Sequence, residues 1–134
     1  MSKLQNLRTQ LGTKITNNDQ PVPVVIHNQR AVRLENNSVV VVGNGQLFRH
    51  VDPNGDMWDG FGHRSASAFI PFKKDLPRRP IVTVNLTGID ASHAHNLRVK
   101  LEVEEERVTG FIVRAITWDD TKIAGLDVSW TAYC

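Results

Sequence analysis

Four segments in the second half of the chain alternate apolar and polar residues with a period of two, and that period dictates the fold. Val82, Val84 and Leu86 form one series; Leu97, Val99, Leu101 and Val103 a second; Phe111, Val113 and Ala115 a third; Val128, Trp130 and Ala132 a fourth. Successive side chains on an extended strand point to opposite faces, so each series makes a strand with one apolar face. With two further segments the pattern predicts strands near 46–51, 66–72, 80–87, 96–105, 108–117 and 122–133. The stretches between them, "DPNG", "KKDLPRRP", "DASHAHN", "RVTG" and "WDDT", are rich in turn formers. Six antiparallel strands, each apolar on one side, bury those sides against one another. The fold class is therefore all-β, a six-stranded antiparallel sandwich of two packed sheets. In the fourth strand Arg98, Lys100, Glu102 and Glu104 share the face turned away from the core.

The first part of the chain follows other rules. Leu4, Leu7, Leu11 and Ile15 recur at helical spacing and are followed by the breakers "TNNDQPVP", which predicts a short amphipathic helix over 1–16. So short a helix is marginal alone in water, and its stripe calls for copies of itself or another protein's surface. Over 17–44 an eight-residue offset recurs: Val24, Ile26 and Asn28, then Val32, Leu34 and Asn36, then Val40, Val42 and Asn44. Each unit reads as a short strand with Asn at its corner, and three such strands bury too little alone, whereas several chains wound together would bury more. This repeat resembles the intertwined β shafts of trimeric phage fibres and spikes; a β-meander docked on the domain is the competing reading. The expected division is helix 1–16, β-repeat stalk 17–44 and sandwich 45–134.

Composition excludes several classes of function. A chain of 134 residues with 40% apolar and 22% charged residues suits one compact domain with a short appendage. No apolar run is long enough to span a bilayer, so membrane insertion is not expected. The start "MSKLQNLRTQ" lacks the apolar core of a secretory signal, which predicts synthesis and assembly inside a cell. Lys73, Lys74, Arg78 and Arg79 are answered by Glu102, Glu104, Glu105 and Glu106, and no basic stripe with interleaved aromatics speaks for nucleic acid. The single cysteine, Cys134, forms no intrachain disulfide. Asp119 and Asp120 are adjacent and point apart on an extended chain, so they cannot flank a glycosidic bond as a catalytic pair. Without a Gly-x-Ser-x-Gly elbow, a phosphate loop or a Cys/His dyad, no enzyme is expected. His93 and His95 lie in a predicted loop with no third ligand nearby, and neither a metal nor another cofactor is expected.

Between residues 70 and 132 the pieces "PF", "RRPIV", "GID", "NLRV", "TGF", "TWDDT" and "VSW" occur in one order. This stretch resembles the H-type lectin domain of snail agglutinins and the C-terminal domain of discoidins. The resemblance implies a six-stranded sandwich that assembles as a homotrimer and binds galactose-type sugars, often N-acetylgalactosamine, in clefts between subunits. It matches Trp118 to the family's sugar-contacting tryptophan and Arg98 to its sugar-site arginine. Asp119 stands where the snail lectin has a histidine, and Ala124 where it has an aromatic that completes the pocket. Asp120 and Thr121 match the pair that discoidins carry after the tryptophan, and read first as turn residues. The family's remaining ligands, a Gly and an Asp, fall in the loop "DPNGDMWDGFGHRS". Asp59 with Gly60 is the first placement there, and Asp56 with Gly55 the second. Trp58 and Phe61 in that loop either wall the pocket or plug the end of the sandwich. These residue types suit a pyranose, which offers hydroxyls to charged groups and C–H bonds to an aromatic face.

The expected function is that of a trimeric carbohydrate-binding adhesin, a virion fibre or spike component of a bacteriophage. Its partners would be glycans, copies of itself and a larger particle met through the N-terminus. Sugar would be held by Arg98, Trp118, Asp119, Asp59 and Gly60. The competing reading is a structural virion or assembly protein that uses a lectin-like head only to trimerise, and the altered positions Asp119 and Ala124 speak for it.

Overall fold

The computed structural model describes residues 13–16, 21–49 and 56–134. Among these the strands are β1 (Thr13–Thr16), β2 (Pro21–Pro23), β3 (Val25–Arg33), β4 (Val39–Arg49), β5 (Arg64–Pro71), β6 (Ile81–Ala91), β7 (Lys100–Arg107), β8 (Gly110–Thr117) and β9 (Ile123–Tyr133). A single helical turn, α1 (Asp56–Asp59), precedes β5. One sheet has the order β3-β4-β9-β6, and the other joins β5, β8 and β7, with β1 and then β2 added beyond β5. All pairings are antiparallel. The all-β sandwich expected from the alternation is present, and its six strands are β4 to β9.

The inner faces meet over Leu47, Ile70, Phe111, Val113, Val128 and Trp130, each almost wholly removed from water. Burying one such side chain is worth about 1.5–3 kcal/mol. Phe111 meets the Trp130 ring edge-on at 5.9 Å and Phe72 at 5.9 Å, so aromatic packing runs across the core. The Trp130 indole lies over Gly43, where an added Cβ would come within 2.5 Å of the ring.

Several boundaries differ from expectation, among them the end of β6, which lies at Ala91 rather than near 87. The eight-residue repeat is the mirror symmetry of a hairpin: Val32 pairs with Val40, Arg30 with Val42 and Asn28 with Asn44, while Asn36 sits in the turn between. Asn36 Oδ1 accepts from the Ser38 amide at 3.0 Å, and Asn37 takes the left-handed conformation at φ 69°. The stalk boundary at 44/45 therefore falls inside β4, which pairs with β9 from Val40–Tyr133 to Arg49–Gly125. Residues 25–44 are sandwich, not a separate shaft. Thr13–Thr16, expected as the end of a helix, is a strand whose Lys14 pairs with Ala68. β-branched residues and the open edge of β5 favour that outcome. The rest of the expected helix, 1–12, lies outside the described residues. Finally, β7 begins at Lys100 rather than near 96.

Gln29 fastens β3 to both sheets. Its amide is buried, accepts from Trp130 Nε1 at 3.0 Å and donates to the Pro71 carbonyl at 2.9 Å. Replacing it leaves a buried indole N–H and a carbonyl without partners, a loss of about 1–3 kcal/mol. Gln29→Ala should lower the urea midpoint correspondingly with an unchanged m-value; an unaltered midpoint would show that the bridge carries no stability.

Candidate functional site

Strand direction places the α1–β5, β6–β7 and β8–β9 connections at one end of the sandwich. The turn after β8 holds the motif "TWDDT", and its two threonines point inward. Thr117 and Thr121 are buried, and their hydroxyls donate to the carbonyls of Arg98 and Asn96, each at 2.6 Å. In the register of β7 with β8 the last residue of β8, Thr117, falls opposite Val99, so the chain before it has no strand to pair with and β7 starts late. The threonine bonds hold the segment 96–98 against the β8–β9 turn.

Arg98 is thereby delivered to the turn's carboxylates. Its Nη1 donates to Asp120 Oδ1 at 2.9 Å and to Thr121 Oγ1 at 3.0 Å, and its Nη2 lies 3.6 Å from Asp119 Oδ2. The hydrogen bond from Arg98 holds the Asp120 carboxyl below its ordinary 3.8. Asp119 adopts the left-handed conformation at φ 60°, which Asp tolerates better than most residues. Trp118, which precedes Asp119 in the turn, is 42% exposed and presents aromatic surface to solvent.

A residue not singled out in the sequence closes the end. Arg64 is buried at the start of β5, donating to the carbonyls of Gly62 at 2.9 Å, Asp56 at 3.1 Å and Asp119 at 2.9 Å. The Gly62 amide also donates to the Asp119 carbonyl at 2.9 Å, so the α1–β5 loop and the tryptophan turn meet at one oxygen. Burial pushes the Arg64 guanidinium down from its ordinary value, while Asp56 and Asp120 pull it up, and it stays charged. The available signal was register: Arg64 has the parity of the buried Ala66, Ala68 and Ile70.

The structure brings Arg98, Trp118 and Asp119 together. Gly60 joins them through Arg64: a Cβ there would lie 2.5 Å from Arg64 Cδ and 2.6 Å from the Asp56 carbonyl, so only glycine lets the loop close. Asp59 is exposed at the end of α1 and makes no hydrogen bond or ion pair with a described residue. Of the second placement, Gly55 lies outside the described residues and Asp56 lends its carbonyl to Gly60 and Arg64. The residue that plugs the sandwich is Met57, 3% exposed, whereas Phe61 is 75% exposed. Trp58 is half-buried; its carbonyl accepts from Lys122 Nζ at 3.0 Å, and the ammonium sits 5.9 Å from its ring. Ala124 is buried in β9. His95 Nδ1 is bonded to Ser92 Oγ at 2.9 Å, and among the described residues no three His, Cys, Asp or Glu side chains cluster as metal ligands.

The H-type lectin domain matches residues 67–133. The chain belongs to the H-type lectin domain family. A relative named ATP synthase subunits region ORF 7, from Fuscovulum blasticum, is 34% identical over 90 residues, covering 67% of this chain and 78% of that one. Wild-type discoidin II from Dictyostelium discoideum superposes with a TM-score of 0.61 at 20% identity over 85% of this chain. A recombinant discoidin II structure gives the same TM-score over 84%. This chain spans 40% of discoidin II, and at that identity the likeness is one of fold. The H-type lectin fold is a carbohydrate-binding one. The family match covers Arg98, Trp118 and Asp119 but begins after Asp59, Gly60 and Arg64.

The Asp120 contact has a defined pH window. Its folded value lies below the ordinary 3.8, so the bond to Arg98 is fully formed above that value and is lost as pH falls through the folded one. The carboxyl carbon of Asp120, followed by NMR, should titrate below 3.8, and Arg98→Gln should raise the midpoint. A midpoint unmoved by the substitution would remove the coupling.

Proposed function

We propose that this H-type lectin domain binds cell-surface glycans of the galactose or N-acetylgalactosamine type at the Arg98–Trp118–Asp119 turn. The observation that carries the reading is the arrangement of that turn. A half-exposed Trp118 leads the turn whose two carboxylates lie against the Arg98 guanidinium, Asp120 hydrogen-bonded to it and Asp119 at 3.6 Å. The Trp118 ring offers its face to the sugar's C–H patch, and Arg98 and Asp119 offer a donor and an acceptor to its hydroxyls. Ordering these groups in advance reduces what binding must spend on immobilising them. Asp59, on the loop that Arg64 draws to the turn, supplies a further carboxylate to a sugar held between neighbouring copies.

The protein acts as a homotrimer in this reading. On the outer face of the four-stranded sheet Val32, Val40, Tyr133 and Ile81 fall in one cross-strand row, with Val32, Tyr133 and Ile81 well exposed. The neighbouring row is Arg30, Val42, Thr131 and Thr83, in which Arg30 on the edge strand is the one charged residue. Such a face suits burial against further copies of the chain, and several weak sites on one particle then reinforce one another. Attachment to a larger particle, a virion included, is a proposal for residues 1–12 alone, because the stalk on which the fibre reading rested is a hairpin of the sandwich.

A glycan array probed with the intact protein and with Trp118→Ala tests the reading. The intact protein should bind a galactose-type subset and the variant should lose it, by at least about tenfold in affinity. Absence of binding by an intact trimer would favour the trimerising block, and a monomeric mass in solution would remove the site between subunits.

A further inference from the structure

We infer that a cleft at the end of the sandwich opposite the tryptophan turn is a second binding site, for a small amphiphilic anion: a carboxylate carried on a ring or short alkyl chain. This inference does not rest on the glycan reading.

The cleft has a volume of about 370 Å³ and lies between β3 and the connection that follows β5. That size is at the lower end for small-molecule sites. Its floor is apolar, formed by Val39, Val41, Phe72 and Leu76, which are buried. The cleft exists because β3 overhangs. Gln29, Ala31 and Arg33 pair with Gly43, Val41 and Val39 and so face inward, yet Ala31 and Arg33 are exposed. The opposite wall is fixed, since the Phe72 amide donates to the Thr109 carbonyl at 3.0 Å and the Leu76 amide to the Val108 carbonyl at 2.9 Å. Gln29 ties the two walls at the Pro71 carbonyl.

The charge around the floor selects the ligand. Arg33, Lys73 and Lys74 line the cleft against one carboxylate, Asp75, and none of the four makes an ion pair with a described residue. Unpaired cations beside a low-dielectric concave wall concentrate a positive potential. An anionic head on an apolar body covering the floor would come within reach of these cations and add a charge-assisted contact that a neutral ligand lacks. The chain's own N-terminal segment is a poor occupant, because residues 1–18 carry Lys3, Arg8 and Lys14 and no acid. A concave site of this volume also suits a discrete molecule better than a flat membrane surface.

Titration of the intact protein with octanoate, octanol and octylammonium, followed through backbone amide resonances, tests the assignment. Octanoate should shift Val41, Phe72 and Leu76 saturably, with octanol and octylammonium at least about tenfold weaker. A Lys73→Glu/Lys74→Glu variant alters exposed, unpaired side chains, so it should keep its thermal midpoint while losing octanoate affinity by a similar factor. Equal binding of octanol, full affinity in the double variant, or shifts confined to the other end of the sandwich would each overturn the assignment. So would retention on anionic phospholipid vesicles without any shift from octanoate.

Discussion

The site end of this sandwich depends on one buried guanidinium. Arg64 occupies a register position that would otherwise hold an apolar side chain, and it exchanges water for the carbonyls of Asp56, Gly62 and Asp119. A buried cation is tolerable only when such acceptors surround it. The requirement runs both ways: the loop after α1 must curl around Arg64, which Gly60 permits by lacking a Cβ. The carbonyl of Asp119 must also turn toward Arg64, which accompanies the left-handed backbone at that residue. The exposed side chains of Trp118 and Asp119 are thus set by a contact made on the buried side of the same turn.

Function follows from separating support from display. Thr117, Thr121 and Arg64 face inward and spend their hydrogen bonds on the backbone of neighbouring loops. Trp118, Asp119 and Asp120 remain outside with Arg98 among them. The opposite end is built on a different principle. There an edge strand projects beyond the facing sheet, leaving an apolar floor and cations that pair with no described residue instead of a hydrogen-bonded turn. One small fold therefore presents two chemically distinct ends.

The strands of the sandwich were legible because burial on one face writes a period of two directly into the chain, as in Val128, Trp130 and Ala132. Arg98, Trp118 and Asp119 were legible through the order of short motifs within the segment that matches the family. The hairpin reads as a repeat in the sequence because residues equidistant from a turn at Asn36 show the same offsets as a translational repeat, and only pairing tells the two apart. The strand at Thr13–Thr16 depends on an edge offered by β5, a partner that no local pattern displays. Arg64 stayed hidden because arginine is ordinarily a surface residue, and its acceptors are backbone atoms that sequence does not distinguish.

If the Trp118 turn receives the sugar, the three tryptophans of the chain should respond to it differently. Titration with N-acetylgalactosamine, observed at the indole N–H resonances, should move that of Trp118 saturably. The resonance of Trp130, buried and bonded to Gln29, should stay in place. A sugar that binds while the Trp118 resonance stays fixed would place its site elsewhere on the molecule.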